Sequence, residues 1–334
     1  MKRILLICNF RPGVGGISGQ VEALQKHLAE EGFTADVFSC RGSVLKRLSM
    51  PFSLFLKVRH YDIAHIHCCS GWGFLPAVLG IRIAKLAGKR VILTYHGGGG
   101  STFFAKHERL VKHYLMRTDA NVVLSGYLGK VFDKYHIPYS IIPNIIELDE
   151  SLYRKRLTLK PDFICIRSHE EIYNIPCIFR AFKRVQEKIP YATLSLVGDG
   201  SLHDTLVSQA SMMELNNVKF TGRVDNSEIY NHLNEADIML SSPTVDNMPV
   251  SILEAMNAGL LVISSNVGGV PYMIENERTG LLFPSNNDSA LATCMLQALE
   301  RQKDSLCMIE TAHNEVKKYS WARVREPLFS LYQE

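Results

Sequence analysis

Short apolar runs recur along the chain, each followed by a stretch whose apolar residues return at helical spacing, and the series begins twice. In the first series the runs fall at 3–9, 34–39, 63–67, 90–95, 121–125 and 140–142, with helix-like stretches between them. One of these is 20–31, where Val21, Leu24 and Leu28 share a face. The second series has runs at 163–167, 193–198, 218–221, 238–241 and 261–264, and helices predicted over 175–188, 203–213, 226–234 and 250–258. Strands that alternate with helices require a parallel sheet covered on both faces. Two such series predict an α/β chain of two Rossmann-like domains whose sheets face a cleft, with ligands gathered at the carboxyl ends of the strands. The charged stretch 147–160, bracketed by Pro143 and Pro161, reads as a linker between domains at 1–146 and 161–315. A helix over 316–334 is expected to pack back toward the first domain.

The 334 residues are enough for two ordinary domains, and an apolar content of 46% supplies their cores. No run reaches the ~18–20 apolar residues of a membrane span. The opening MKRILLICNFRPG has an apolar stretch, 4–8, shorter than the ~7–15 residues of a signal-peptide core, and reads as a buried first strand. Eight cysteines form no C-x-x-C pair, so reduced thiols in a cytoplasmic protein are expected rather than a metal or disulfide framework. Charge divides unevenly. Residues 1–160 hold 23 Lys and Arg against 11 Asp and Glu, a net +12, whereas 161–334 hold 14 against 22, a net −8. The basic half favours an anionic partner.

Directly after the first run comes RPGVGGISGQ, with Gly13, Gly15, Gly16 and Gly19 around a helix start that Ser18 is placed to cap. Small residues there let backbone N–H groups approach a phosphate, and a tight turn with no ligand explains the same residues. A dinucleotide fingerprint is not met, because the spacing is Gly13-x-Gly15-x-x-Ser18 and the second run ends Phe38-Ser39-Cys40 without an acid. In the second half LVGDGS (196–201) and FTGRV (220–224) close successive runs. The stretch SSPTVDNMPVSILEAMNAGLLVISSNVGGVPYMI (241–274) then sets Asp246 and Glu254 eight positions apart across Pro249.

Taken in order, LVGDG, V-x-F-T-G-R-V, the acid-x7-Glu stretch with L-E-A-M-N-A-G, V-G-G-V-P and T-G-L-L-F-P strongly resemble the retaining glycosyltransferases of family 4, which have the GT-B fold. GVGGIS, HIH at 65–67, TYHGG at 94–98 and IPN at 142–144 fall where that family places related segments. The resemblance covers nearly the whole chain and implies a nucleotide diphosphate sugar bound mainly by the second domain, an acceptor mainly by the first, and no metal or other cofactor. It places Glu254 on the ribose hydroxyls, with Asp246 and His96 near the donor sugar as the catalytic pair. Arg167 meets the diphosphate. Pro249 suits the first position of a helix, and the N–H groups that follow, at Val250 and Ser251, face phosphate. Gly15 and Gly16, with Asn174, Gly198, Arg223 and Val224, complete the donor-binding set, and His65 and His67, alternate on one strand, belong to the acceptor side.

The chain departs from the family pattern twice. Where the family has a Lys that helps neutralise the leaving diphosphate, this chain has Tyr173-Asn174, and its first acid is the shorter Asp246. His169, Arg223 or a residue of the basic half are the candidates for the second positive charge.

Two stretches concentrate that basic charge. Residues 41–60 mix Lys46, Arg47, Lys57 and Arg59 with Leu, Met and Phe; residues 101–117 read as one amphipathic helix with Phe103, Phe104, Leu110, Val111, Tyr114 and Leu115 opposing Lys106, Arg109, Lys112 and Arg117. Both fit ordinary solvated helices, and both fit contact with an anionic membrane surface. Nucleic acid is not expected, since no RNA-binding motif is present. The function implied is transfer of a sugar to a glycan or lipid-linked acceptor in cell-surface polysaccharide synthesis, by a cytoplasmic enzyme peripheral on the inner membrane face. The alternatives are a catalytically degenerate GT-B subunit that binds a partner or glycan, and a sugar-nucleotide epimerase of related architecture.

Overall fold

The computed structural model describes residues 2–13 and 15–333, apart from the side chains of Val44, Leu45 and Arg47, so the basic contribution expected of Arg47 lies outside the description. The chain divides into two compact units, one running to Ile145 and resuming at Tyr319, the other spanning Ile146–Lys318.

The first unit holds β1 (Arg3–Cys8), β2 (Thr34–Ser39), β3 (Ile63–Cys68), β4 (Arg90–Tyr95), β5 (Ala120–Val123) and β6 (Ser140–Ile141). They form one sheet in the order β2-β1-β3-β4-β5-β6, parallel throughout. The apolar run of β1 is buried on both faces, as a parallel sheet under helices demands. Leu5 and Ile7 join one core, while Ile4, Leu6 and Cys8 join the other. The second core also takes Val324, Leu328, Leu331 and Tyr332 from the helix Trp321–Gln333.

Two local expectations need correction here. Ser18 is not the helix cap: the helix Ile17–Glu30 is capped by Gly16, and the Ser18 hydroxyl instead accepts the Arg11 N–H at 3.0 Å. Residues 101–117 are not one helix but two, Gly100–Lys106 and Glu108–Leu115, broken at His107. The break lets Phe104 pack among Tyr95 and Phe132 while Val111, Tyr114 and Leu115 bury a second face; Leu110 stays exposed.

The second unit holds β7 (Asp162–Ile166), β8 (Thr193–Val197), β9 (Val218–Gly222), β10 (Ile238–Ser241), β11 (Leu261–Ser265) and β12 (Leu281–Phe283). Its sheet, again parallel, runs β12-β11-β10-β7-β8-β9. The three-residue β12 is too short to stand out as an apolar run. Residues 147–160 pack onto this unit through Arg156, whose buried guanidinium donates to Asp237 Oδ1 at 2.9 Å and to the carbonyls of Ala236, Ala258 and Gly259. Every donor-rich edge of that side chain is met, which is the condition for burying a charge.

Each sheet has one place where the strand order reverses: between β1 and β3 in the first, and between β7 and β10 in the second. In open parallel sheets the loops that leave such strands diverge, and ligands sit outside their carboxyl ends.

Candidate active site

At the reversal in the second unit, β7 and β10 pair over only two residues, Phe163 with Ile238 and Ile164 with Met239. Arg167 leaves β7, and the loop 242–249 leaves β10. The loop is fastened on both sides. Ser242 donates to the carbonyls of Tyr173 and Asn174 at 3.0 and 2.9 Å, and the Thr244 N–H donates to the Ile172 carbonyl at 2.8 Å. From β11, Ser265 donates to the Pro243 carbonyl at 2.6 Å, and the Gly269 N–H to the Asp246 carbonyl at 3.2 Å. A Cβ on Gly269 would lie 2.1 Å from the Asn247 carbonyl oxygen, so only glycine permits that approach.

This clamp aims side chains at one another. Arg167 donates to Ser241 Oγ at 2.9 Å, lies 3.1 Å from Asp246 Oδ2, and stacks its guanidinium over Tyr173 at 5.2 Å. Asp246 Oδ1 accepts its neighbour's N–H, from Asn247, at 2.8 Å. On Arg167, Asp246 and Ser251, three buried polar atoms nevertheless have no hydrogen-bond partner among the described residues: Arg167 Nε, Asp246 Oδ2 and Ser251 Oγ. The Arg167–Asp246 contact is an ion pair by distance but is misaligned for a hydrogen bond. Orphaned buried groups are costly and rare, and here they converge at the strand-order reversal.

The helix Val250–Asn257 starts at the same place. Pro249 is its N-cap, with ψ 120°, and not its first helical residue as expected; the loop must stay extended there to reach the helix. No side chain caps the helix, and of its first-turn N–H groups that of Ile252 donates to the Pro249 carbonyl at 3.2 Å, which leaves those of Val250 and Ser251 without a cap. Glu254 lies one turn on from Val250 and three residues from Ser251, hence on their face. It is half-buried, and its carboxyl has no hydrogen bond or ion pair among the described residues. Burial pushes its pKa up to about 7, with Arg167 pulling the other way.

The other donor-side expectations fall differently. Asn174 adopts a left-handed conformation, φ 46°, and its side-chain amide donates to Asn286 at 2.7 Å, away from the Arg167 group. Gly198, φ 142°, ends β8 where a Cβ would lie 1.9 Å from the Arg167 carbonyl oxygen, so its role is to let β8 support Arg167. Arg223 and Val224 leave β9, two strands from β7, and the exposed Arg223 has no side-chain partner among the described residues. His169 is fully buried, 3.0 Å from His203 Nδ1, and burial lowers its pKa, so it is neutral and not the second cation.

In the first unit, Gly15 and Gly16 lie exposed in the loop after β1. Gly13 and Gly16 have φ of 66° and 67°, with open space where a Cβ would sit. Their glycine requirement is conformational. His65 and His67 of β3 and His96 after β4 form a ring column, at 4.4 and 5.3 Å between centroids.

Sequence reasoning missed Ser241, the acceptor for Arg167, and the pair Asn257 and Tyr230. Asn257 donates to the Tyr230 hydroxyl at 3.1 Å and to the Glu147 carbonyl at 3.3 Å, fixing the far end of the Glu254 helix. A final-position Ser in an apolar strand was the one available signal; nothing in sequence pairs Tyr230 with Asn257.

Residues 153–315 match the family Glycosyl transferases group 1, and residues 41–150 match Glycosyltransferase Family 4. An N-acetyl-alpha-D-glucosaminyl L-malate synthase of Bacillus anthracis is 26% identical over 273 residues, which is 76% of this chain and 70% of the relative. A UDP-Gal:alpha-D-GlcNAc-diphosphoundecaprenol alpha-1,3-galactosyltransferase of Escherichia coli is 27% identical over 289 residues, 78% of this chain and 73% of the relative. The chain spans only 27% and 32% of the length of two further curated relatives that it matches. Among solved structures, Anabaena HepE in complex with UDP and glucose superposes with a TM-score of 0.79 at 15% identity, over the whole of both chains.

Proposed function

The chain belongs to the GT-B glycosyltransferases of the glycosyl transferases group 1 family, and from that premise we propose that it moves a hexosyl group from a nucleotide diphosphate donor, with retention, to a glycan or lipid-linked acceptor in cell-surface polysaccharide synthesis. The observation that carries this reading is the convergence of unpartnered Arg167 Nε, Ser251 Oγ and Asp246 Oδ2 with an uncapped helix N-terminus and an unpaired Glu254. A nucleoside diphosphate answers all but Asp246 Oδ2, an acceptor that is left to a hydroxyl of the donor sugar. Its phosphate oxygens accept from Arg167, Ser251 and the first-turn N–H groups, and its ribose hydroxyls donate to Glu254. Negative charge that grows on the leaving diphosphate is met by fixed donors already in place, the usual main source of catalysis in such sites. That assignment calls for no metal. Asp246 is assigned to the donor sugar, and His65 and His67 to the acceptor side.

The experiment is a calorimetric titration with UDP-, GDP-, ADP- and CMP-sugars, followed by the best donor against Glu254→Ala. At least one donor should bind, and the variant should lose that binding while keeping its fold. Unchanged affinity in the variant would reject the ribose assignment.

A second reading, a degenerate subunit that binds without turnover, is favoured by one observation. Tyr173 stands at the expected Lys position and Asp246 pairs with Arg167, so the cation at the site is partly neutralised. Release of nucleoside diphosphate with any donor and acceptor rejects it.

A membrane role is supported by the helix Val44–Val58, which exposes Leu48 (74%), Phe52 (68%) and Leu56 (44%) at four-residue spacing near Lys46, Lys57 and Arg59. No helix among the described residues is long and apolar enough to cross a membrane. Peripheral binding predicts co-sedimentation with anionic vesicles that Phe52→Glu abolishes.

A further inference from the structure

Arg167 and Asp246 are close neighbours in a largely buried place, yet they do not make the two parallel hydrogen bonds that an arginine and a carboxylate frequently form. Arg167 Nη2 lies 3.1 Å from Asp246 Oδ2, and that oxygen, like Arg167 Nε, is buried with no hydrogen-bond partner among the described residues. Two other contacts hold the guanidinium. Its Nη2 donates to Ser241 Oγ at 2.9 Å, and its central carbon lies over the Tyr173 ring, 5.2 Å from the centroid.

Both restraints sit on fastened backbone. Ser241 is fully buried at the end of β10. Tyr173 closes the short helical turn Glu171–Tyr173, just before Asn174 adopts its left-handed φ of 46°. The Tyr173 N–H donates to the Glu170 carbonyl at 3.0 Å, and the Tyr173 carbonyl accepts from Ser242 Oγ at 3.0 Å. An aromatic face attracts a cation within about 6 Å of its centre. The ring therefore draws the guanidinium to one side, while Ser241 takes an N–H that Asp246 would otherwise receive. A lysine at position 173 would add a charge and give Arg167 no surface to lie on.

We propose that Tyr173 is a positioning residue: with Ser241 it withholds Arg167 from a full ion pair with Asp246, and so keeps Arg167 Nε for an oxygen of the leaving diphosphate. Where the family pattern has a second cation, this chain keeps its first one available. The restraint stands on the geometry of the second unit alone; its use on a diphosphate rests on the assignment of Arg167 above.

Inorganic pyrophosphate is the probe, titrated calorimetrically into the full-length protein, so that the choice of base plays no part. Tyr173→Leu should weaken its binding about tenfold, and Tyr173→Phe, which keeps the ring, should stay within about twofold of the wild type. The readout that a merely structural role would not move is the coupling to Asp246. Asp246→Asn should gain more affinity in the leucine variant than in the wild type, because there it frees an Arg167 that has closed onto the carboxylate. A folded leucine variant of unchanged affinity, a phenylalanine variant as weak as the leucine one, or equal gains from Asp246→Asn in both backgrounds overturns the proposal. Should the leucine variant not fold, Ser241→Ala, which releases the guanidinium on its other side, carries the same test alone and with Asp246→Asn. Arg167→Ala separates the two levels. If it weakens pyrophosphate binding while Tyr173→Leu does not, only the role of Tyr173 falls; if it leaves binding unchanged, the diphosphate assignment of Arg167 falls and the proposal with it.

Discussion

Arg167 and Asp246 lie 3.1 Å apart, close enough to pair and too poorly aligned to share a hydrogen bond. Both are largely buried, with side chains 8% and 18% exposed. The pair therefore neutralises charge without satisfying either partner, and a phosphate oxygen competes with Asp246 for the same guanidinium.

Asp246→Asn should accordingly tighten binding of a bare nucleoside diphosphate by about tenfold, because Arg167 no longer shares its charge. Sugar transfer should fall in the same variant if Asp246 positions the donor. Calorimetry with the diphosphate and turnover with the intact donor measure the two effects separately. Weaker diphosphate binding in the variant would contradict the competition.

Glu254 gives a pH dependence opposite in sign to that of most carboxylates. Burial lifts it from 4.5 to about 7, so the folded chain holds its proton more tightly than the unfolded chain. The stability it contributes is fully present below pH 4.5 and is lost as pH rises through about 7. Glu254→Gln should match the wild type at the acid end and exceed it by about 1–2 kcal/mol at pH ~8, a figure reduced for partial exposure. Urea unfolding of both proteins at the two pH values checks this.

Arg156 is the anchor of residues 147–160. Arg156→Met leaves Asp237 buried with a weaker set of partners and should cost about 3–5 kcal/mol. Adding Asp237→Asn to that variant should recover part of the loss, as read by urea unfolding. Additive losses would show that the two side chains are not coupled.

Gly198 and Gly16 both have positive φ, yet they should respond differently to alanine. At Gly198 the new Cβ meets the Arg167 carbonyl at 1.9 Å, which must displace Arg167 itself. At Gly16 (φ 67°, ψ −134°) the space is open, leaving a backbone cost of about 1–3 kcal/mol. Gly198→Ala should therefore weaken nucleotide binding as well as stability, and Gly16→Ala mainly stability, in thermal unfolding with and without UDP.

Much of this fold is legible from β1 alone. A run with no polar alternation, such as Ile4–Cys8, must be buried on both faces, and repeating it between amphipathic helices leaves little but a parallel sheet. Asp246, Glu254 and Arg167 could be picked out because motif order placed them at strand ends. What could not be read was pairing at a distance. That Ser241 receives Arg167 depends on β10 lying beside β7, and the two residues are 74 positions apart in the chain. The break at His107 and the Pro249 cap were hidden for a different reason: each is set by where the flanking helix must point, and not by local propensity. Gly198 was legible as a glycine after a strand, but whether it faces a ligand or a neighbouring backbone is decided only by the 1.9 Å approach.

Tyr332 and the helix Trp321–Gln333 complete the core around β1 and β3, although the whole second unit intervenes in the chain. A ribosome delivers that helix only after residues 146–318. The half of the protein that begins synthesis first is thus the half that matures second, its His65 face left uncovered while residues 146–318 are made and able to fold. Between those two moments the nascent chain exposes an apolar surface on a finished-looking sheet, which makes this the stage at which a chaperone, or a fault in translation, has most influence on its fate.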